Sequence, residues 1–444
     1  MLMDENCIRE DAKKNNSSFE EILETLGHFG RFQIRIFVIL TLMDLPNINV
    51  IMLYIFSHYV PPWTCLRLAE NASLPNNTDR LCSFNGSKCV EFDYDFTNAL
   101  TSLITEFDLV CDMSYIPKLA ISLQMVGLFF GTMASGYFAD WIGRKKTLIV
   151  FACLMIVTQI VVGFSSSWIM YVIVRILSGF FSGGPVTICF TLPLEFVGKK
   201  WRTFCAGFVL FGVGSSLAAV VAYLTRDWRH TAFITASFGI PLIPAIVLWV
   251  PESVRWLAMK GRFKEAEEII VWMARTNKTG IPDSNLLRLI AAKDCREQEK
   301  NRKHGYLDLF KTRELAIQTC VIIYCWFSCA AINYGVSTMY STFEGTVFVN
   351  VVAGSFLTIP AEWSVIFVAN RNIGLAAGSM GARVAGIAAP QIAYLGLISH
   401  WMIPYVFYAF LAITSAIFVL FWLPETNGKN LKDALREYDD KQQE

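Results

Sequence analysis

The sequence predicts an all-α polytopic membrane protein of about ten spanning helices, six followed by four, on three observations. The 444 residues are 54% hydrophobic and 17% charged. The apolar residues gather in unbroken runs long enough to cross roughly 30 Å of hydrocarbon, and the clusters of basic residues fall between those runs after every second span. The runs are continuous instead of alternating, so helices and not barrel strands satisfy the backbone in lipid. Net charge is +1, which supplies no field for a nucleic-acid partner, so the bilayer is the expected surrounding.

The spans read as 33–56, 118–140, 146–166, 168–190, 204–225, 231–251, 315–337, 347–369, 374–398 and 402–423. Residues 1–32 are polar, lack the apolar core of a secretory signal and form a cytosolic lead-in. There Ser18 and Glu21 fit a capping box for an amphipathic helix whose Phe19, Ile22, Leu23 and Leu26 would lie on the inner leaflet. Residues 33–251 make an N-terminal helical half, 252–313 a cytosolic loop, 314–423 a shorter C-terminal half and 424–444 a cytosolic tail. The positive-inside rule sets this orientation: Arg144, Lys145 and Lys146, then Lys199, Lys200 and Arg202, then fourteen Lys and Arg in 251–313, each follow an even-numbered span.

The stretch 57–116 is then extracellular. It holds Cys65, Cys82, Cys89 and Cys111, which can pair in three ways, and sequons at Asn71, Asn76 and Asn85. Asn15, Asn16 and Asn277 match the same pattern on the cytosolic side. The other eight cysteines have no metal-ligand spacing, and no HExxH, P-loop or dinucleotide fingerprint occurs. An enzyme is not expected, nor a cofactor or metal.

Between spans 2 and 3 stands Gly136-Tyr-Phe-Ala-Asp140-Trp-Ile-Gly143-Arg144-Lys145-Lys146. Its glycines allow a tight turn, and Asp140 with the basic cluster can bridge neighbouring helix ends. This GxxxDxxGR(R/K) pattern resembles the inter-helix loop of the major facilitator superfamily. SFEEILETLGHFGRFQ before span 1, ITEFDLVC before span 2, the run from Arg175 to Gly184 in span 4, PLEFVGKKWRT after it, PESVRWLAMKGR after span 6 and LPETNGKNL after the last span are similar to the organic anion, cation and carnitine carriers of that superfamily. Gly179 and Gly183 in span 4 fit a small-xxx-small packing face. The resemblance implies twelve spans. Here Asn370 runs directly into Arg371-Asn372-Ile373-Gly374, which resembles the entrance to family helix 11, so family helices 9 and 10 are missing and the chain reads as a shortened form, as a spliced variant would be. An even number is lost, so the tail remains cytosolic.

Ionisable residues near the middle of spans are costly, about 2.5–3.5 kcal/mol on insertion scales, and are site candidates by default. They are Asp44 in span 1, Arg175 in span 4, Glu362 in span 8 and Arg383 in the equivalent of family helix 11. Arg383 is the leading candidate: Gly378, Ser379, Gly381, Ala382, Ala385 and Gly386 flank it with small residues, and a guanidinium pairs with a carboxylate in bidentate fashion. The resemblance implies an anionic substrate where an Arg stands at this place, and cavity aromatics at Tyr334 and Tyr223. The bland alternative is a permanent ion pair of Arg383 with Asp44 or Glu362. Span 8 departs from the family pattern, with Thr358-Ile359-Pro360 where an acid often precedes the proline. Arg175, Glu195 and Arg202, with Gly136, Asp140, Gly143, Arg144 and Lys145, are expected to set packing and gating.

The expected activity is thus movement of a small organic ion, preferably an anion, across the plasma membrane by alternating access. Two rivals stand beside it: an organic cation or carnitine carrier, and a shortened, non-transporting membrane protein or regulatory partner.

Overall fold

The computed structural model describes residues 23, 25–69, 75, 78–84, 86–96, 100–280, 313–368, 375–400 and 402–422. The chain is a helical bundle in the expected order. Helix α1 (Arg31–Met52) breaks at Leu53 and resumes as α2 (Tyr54–Ser57). After the outer loop come the short α3 (Leu103–Glu106), then α4 (Tyr115–Ile142), α5 (Arg144–Gly163) and α6 (Trp168–Phe196). The fifth span is split into α7 (Lys199–Gly207) and α8 (Phe211–Thr225), the sixth into α9 (Trp228–Ser237) and α10 (Leu242–Trp249).

Two short helices follow, α11 (Val254–Met259) and α12 (Phe263–Asn277). The second half comprises α13 (Arg313–Met339), α14 (Val347–Val368), α15 (Leu375–Ile398) and α16 (Ile403–Trp422). Among the described residues eight segments are long and apolar enough to cross a membrane. Helices α14 and α15, of 22 and 24 residues and with some side chains outside the described ones, are not among those eight; they fall where the sequence predicts spans 8 and 9.

The helices pack where small residues let them. A Cβ on Gly127 or Gly131 of α4 would meet the carbonyl oxygen of Ile176 at 2.2 Å or of Phe180 at 1.9 Å. A Cβ on Gly179 or Gly183 of α6 would meet the backbone of Gln124 or Gly131 just as closely. Two glycine pairs at four-residue spacing therefore put backbone against backbone, the arrangement that favours association in lipid, where apolar burial provides no drive. The span 4 pair was legible in the sequence; its partner in span 2 was not singled out.

The outer loop adds β structure to the expected all-helical chain. Strands β1 (Trp63–Leu68), β2 (Ser83–Phe84) and β3 (Ser87–Tyr94) form an antiparallel sheet in the order β1-β3-β2. Of the three pairings the sequence allows, the structure makes Cys65–Cys89 and Cys82–Cys111. The first ties β1 to β3, beside the register pair Leu68 and Cys89. Asn71, Asn76 and Asn85 lie outside the described residues, as do residues 369–374, 281–312 and the tail. Asp227 caps α9, accepting from the backbone N–H of Arg229 at 2.8 Å and of His230 at 2.9 Å, while Thr101 donates to its second oxygen at 2.8 Å. Burial alone would raise the Asp227 carboxyl; the hydrogen bonds from His230, Thr101 and Arg229 outweigh it and hold the group below its ordinary value.

The lead-in differs from expectation. Leu23 and Leu26 do not lie on a leaflet; they are buried in the cluster that contains Phe32, Ile270 and Met273. The reason is α12, an amphipathic helix within the stretch 252–313 expected to be a cytosolic loop. Its Ala266, Ile270, Met273 and Ala274 face inward at helical spacing and offer these leucines an apolar slot. Phe19, Ile22, Ser18 and Glu21 fall outside the described residues. Asn277, at the end of α12, fixes the join: its amide donates to Leu26 O and Gln33 Oε1, both at 2.9 Å, and its carbonyl accepts from Phe32 N–H at 3.0 Å. That sequon nitrogen is therefore already engaged.

Candidate functional site

Three places gather the candidate residues. The first is the end of the N-terminal half opposite the disulfide-bonded loop. Gly143, with φ of +112° in the region that favours glycine, turns the chain from α4 into α5. A Cβ there would also strike Glu252 Oε2 at 2.3 Å. The turn brings the first N–H groups of α5 onto one carboxylate: Glu252 Oε1 accepts from Arg144 N–H at 2.8 Å and from Lys145 N–H at 3.0 Å. An acid at a helix N-terminus is stabilised by the exposed N–H groups and the helix dipole together. Glu252 belongs to the PESVRWLAMKGR segment, in which nothing local marks it as the cap of a distant helix.

Around this cap Arg144 Nε lies 2.5 Å from Glu195 Oε1 and its Nη1 3.6 Å from Asp140. Trp256 donates its indole N–H to Asp140 O at 3.0 Å, and Lys145 Nζ donates to Val247 O at 2.8 Å. Arg202 Nε donates to Val197 O at 3.3 Å, and Arg202, Arg255, Leu194 and Glu195 line a cavity of about 190 Å³. Three separate motifs thus meet at one node. Gly136 is not part of it; a Cβ there would meet nothing within 4 Å.

The second place is the interior of the N-terminal half. Arg175 is 1% exposed. It donates to Val50 O at 2.8 Å, to Ile51 O at 3.5 Å and to Gln124 Oε1, with its guanidinium 5.9 Å from the Tyr171 ring centroid. Its hydrogen bonds reach α1 and α4 just before the break at Leu53, so the buried cation ties three helices. No ligand is needed to account for it.

The third place is the contact between the halves. Toward the end of the bundle that carries the disulfide-bonded loop, Ser122 donates to Ile387 O at 2.8 Å, and Gln391 donates to Ser122 Oγ at 3.0 Å, joining α4 to α15. Phe348 of α14 stacks on Phe56 at 6.2 Å and meets Tyr223 edge-on at 5.5 Å. Further along, Trp363 stacks on Phe208 at 5.2 Å and donates to Val209 O at 3.1 Å. A Cβ on Gly386 would meet Met125 Sδ at 3.3 Å and Tyr334 Cδ2 at 3.4 Å, so α4, α13 and α15 converge there.

Arg383 stands one turn before Gly386 on the same face of α15. Its Nε is buried and has no hydrogen-bond partner among the described residues. Among them, neither Arg383 nor Asp44 forms an ion pair. Tyr334 is partly buried in the cluster with Tyr54 and Met125, within reach of the same region. Asp44 lies on α1 near Cys189 of α6.

Tyr223 is 53% exposed at the outer end of α8, with the Arg226 guanidinium 4.6 Å from its ring centroid. It lines an apolar cleft of about 360 Å³ between α8 and α14. The structure therefore places Tyr334 against Gly386, one turn along α15 from Arg383, Tyr223 in the cleft between α8 and α14, and Asp44 near Cys189. The side chains of Glu362 and Ser379 lie outside the described residues.

Comparison with known proteins agrees with this architecture. The family model described as sugar (and other) transporter matches residues 92–371. The chain is 26% identical to an organic cation transporter protein of Drosophila melanogaster over 520 positions, covering 94% of each chain. It is 24% identical to the Homo sapiens organic cation/carnitine transporter 2, covering 94% of this chain and 93% of that protein. It is 29% identical to Homo sapiens solute carrier family 22 member 7, covering 72% and 66%. An alignment of 520 positions exceeds the 444 residues of this chain, so the Drosophila protein has residues with no counterpart here, in keeping with a shortened form.

Among solved structures, the E. coli xylose transporter XylE in a partially occluded, inward-open conformation superposes with a TM-score of 0.51 at 14% identity, covering 90% of this chain and all of that one. That likeness carries the fold. With the motif node, the bundle order and a family match over more than half its length, the chain belongs to the sugar (and other) transporter family, and is a multi-pass membrane transporter of major facilitator fold.

Proposed function

We propose that the protein carries small organic anions across the plasma membrane by alternating access, with both termini in the cytosol. The observation that carries the choice of charge is Arg383: a guanidinium nitrogen withdrawn from solvent and unmatched by any described acceptor, one helical turn from Gly386, where Tyr334 and Met125 meet α15. A solute carboxylate supplies the missing acceptor, in the bidentate geometry arginine favours, and Tyr334 gives a flat face for the rest of the solute.

The reading requires no covalent chemistry. Ser379, four positions before Arg383 in the sequence, and Glu362 and Asp44 are assigned to the same site as further solute contacts. Tyr223 is assigned to the outer rim. The outer contacts through Ser122, Gln391 and Phe348 close the extracellular side in this state.

The test is uptake of a labelled organic anion into vesicles that contain the purified chain. Saturable uptake is expected, abolished in Arg383→Ala and retained in part by Arg383→Lys. Uptake unchanged in Arg383→Ala removes the site assignment.

A second reading is favoured by the names of the relatives, two of which are called organic cation transporters. Under it Asp44, which has no ion pair among the described residues, faces the solute. Saturable cation uptake lost in Asp44→Asn and indifferent to Arg383→Ala selects that reading. The absence of any organic ion uptake by correctly inserted protein selects a non-transporting form.

A further inference from the structure

We propose that the cleft between the first turns of α1 and the end of α10 binds one anionic phospholipid of the leaflet opposite the disulfide-bonded loop. Arg31, Ile34, Arg35, Val38, Ile39 and Trp249 line this space, a volume of about 450 Å³. The two arginines stand one turn apart on α1, and the aliphatic residues continue along the helix from them. Ile34, Val38 and Trp249 are all substantially exposed, so the cleft opens sideways to where acyl chains run.

The Arg35 guanidinium is what distinguishes this cleft from ordinary lipid-facing surface. Its face is covered, with its centre 5.0 Å from the Trp272 ring centroid and 5.6 Å from that of Phe32. Stacking on rings satisfies the face of the cation and none of its N–H groups. Its Nε and Nη2 are buried, and neither has a hydrogen-bond partner among the described residues. Two donors on one edge of a planar group can grip a phosphate in bidentate fashion once the Arg35 head turns from the rings to face the cleft.

Arg31 is exposed one turn nearer the helix start, where a headgroup's second charge would lie. The apolar remainder of the cleft suits the first methylenes of an acyl chain, and Trp249 sits at the helix end where aromatic side chains border the interface. An anionic phospholipid joins both halves of that recognition in one molecule, and its occupancy would brace α1 against α10. The inference is independent of which solute is carried.

The experiment reconstitutes the purified full chain into phosphatidylcholine vesicles with and without phosphatidylserine, and follows apparent Tm by intrinsic fluorescence. Phosphatidylserine is expected to raise the Tm by several degrees, through binding to the folded state alone. Arg35→Gln is expected to abolish the rise, and Arg31→Gln to reduce it. Val38→Trp, which fills the cleft and leaves both charges, is expected to abolish it too, so the test survives if Arg35→Gln fails to fold. An equal rise in Arg35→Gln and in Val38→Trp overturns the proposal, as does the absence of any rise in the unsubstituted protein, which would mean the guanidinium is satisfied within the chain. A rise of the same size on adding inorganic phosphate to phosphatidylcholine vesicles also overturns it, in favour of a simple anion site.

Discussion

Arg175 of α6 donates a 2.8 Å hydrogen bond to the carbonyl oxygen of Val50 in α1, across the interior of the bundle. With its bond to Gln124 of α4, this makes one buried cation common to three helices. Arg175→Met keeps much of the volume and leaves those acceptors without a donor, at about 1–3 kcal/mol for each unsatisfied group. A clearly lower apparent Tm is expected for the purified variant. Arg175→Met with unchanged Tm but lost uptake would instead make Arg175 a solute-binding residue.

Glu252 and Glu195 are expected to contribute through the same node and therefore non-additively. Glu252→Gln weakens the cap of α5 by about 1 kcal/mol, and Glu195→Gln leaves Arg144 without its nearest carboxylate. The double variant should lose less stability than the two single losses combined, because both act on the α4–α5 junction. Strict additivity in Tm would show that the two carboxylates are energetically separate.

Gly131→Val places branched carbons where the α6 backbone already lies, and Gly183→Val does the same from the other side. Both variants should fail to yield folded protein in detergent, or yield it with a Tm many degrees lower. Gly136→Val, which meets nothing within 4 Å, should be tolerated. A size-exclusion profile and a melting curve for the three distinguish these outcomes.

Asp227 gives a pH signature. Its carboxyl is held below the ordinary aspartate value in the folded protein, so its contribution is fully present above the unfolded value and disappears as pH falls through the folded one. The Tm difference between the protein and Asp227→Asn should be constant through neutral pH and close only in acid, below about pH 4. A difference that closes near pH 6 would place the effect on a histidine instead.

The disulfides close segments with sequence separations of 24 and 29 residues. Replacing Cys82 and Cys111 together by Ser should destabilise the outer loop by about 2–4 kcal/mol. Peptide mapping without reduction should recover Cys65 linked to Cys89 and Cys82 linked to Cys111. Recovery of Cys65 linked to Cys82 would refute the pairing.

The spans were legible because apolar runs of spanning length have no other solution in lipid, and the Gly136–Lys146 motif named its own turn. The node partner Glu252 was not legible as such. Its role depends on the chain returning to the start of α5 from 108 residues away, as the Arg144 N–H bond shows, and no local pattern carries that. Helix α12 was readable from its inward stripe, but lay within a stretch treated only as positive charge. Leu23 and Leu26 were misplaced for the same reason, since an amphipathic segment does not disclose whether membrane or protein covers its apolar face. Tyr223 matched a family position, yet its surroundings, an arginine and an apolar cleft, come from the packing of α8 on α14.

Where glycine meets glycine between α4 and α6 there are no side chains to slide or exchange rotamers, so those two helices can shift only together. Bending within the first half is therefore expected at its interruptions: at Leu53, between Gly207 and Phe211, and between Ser237 and Leu242. The first half thus sets a close-packed spine, its second and fourth spans, beside interrupted first, fifth and sixth spans.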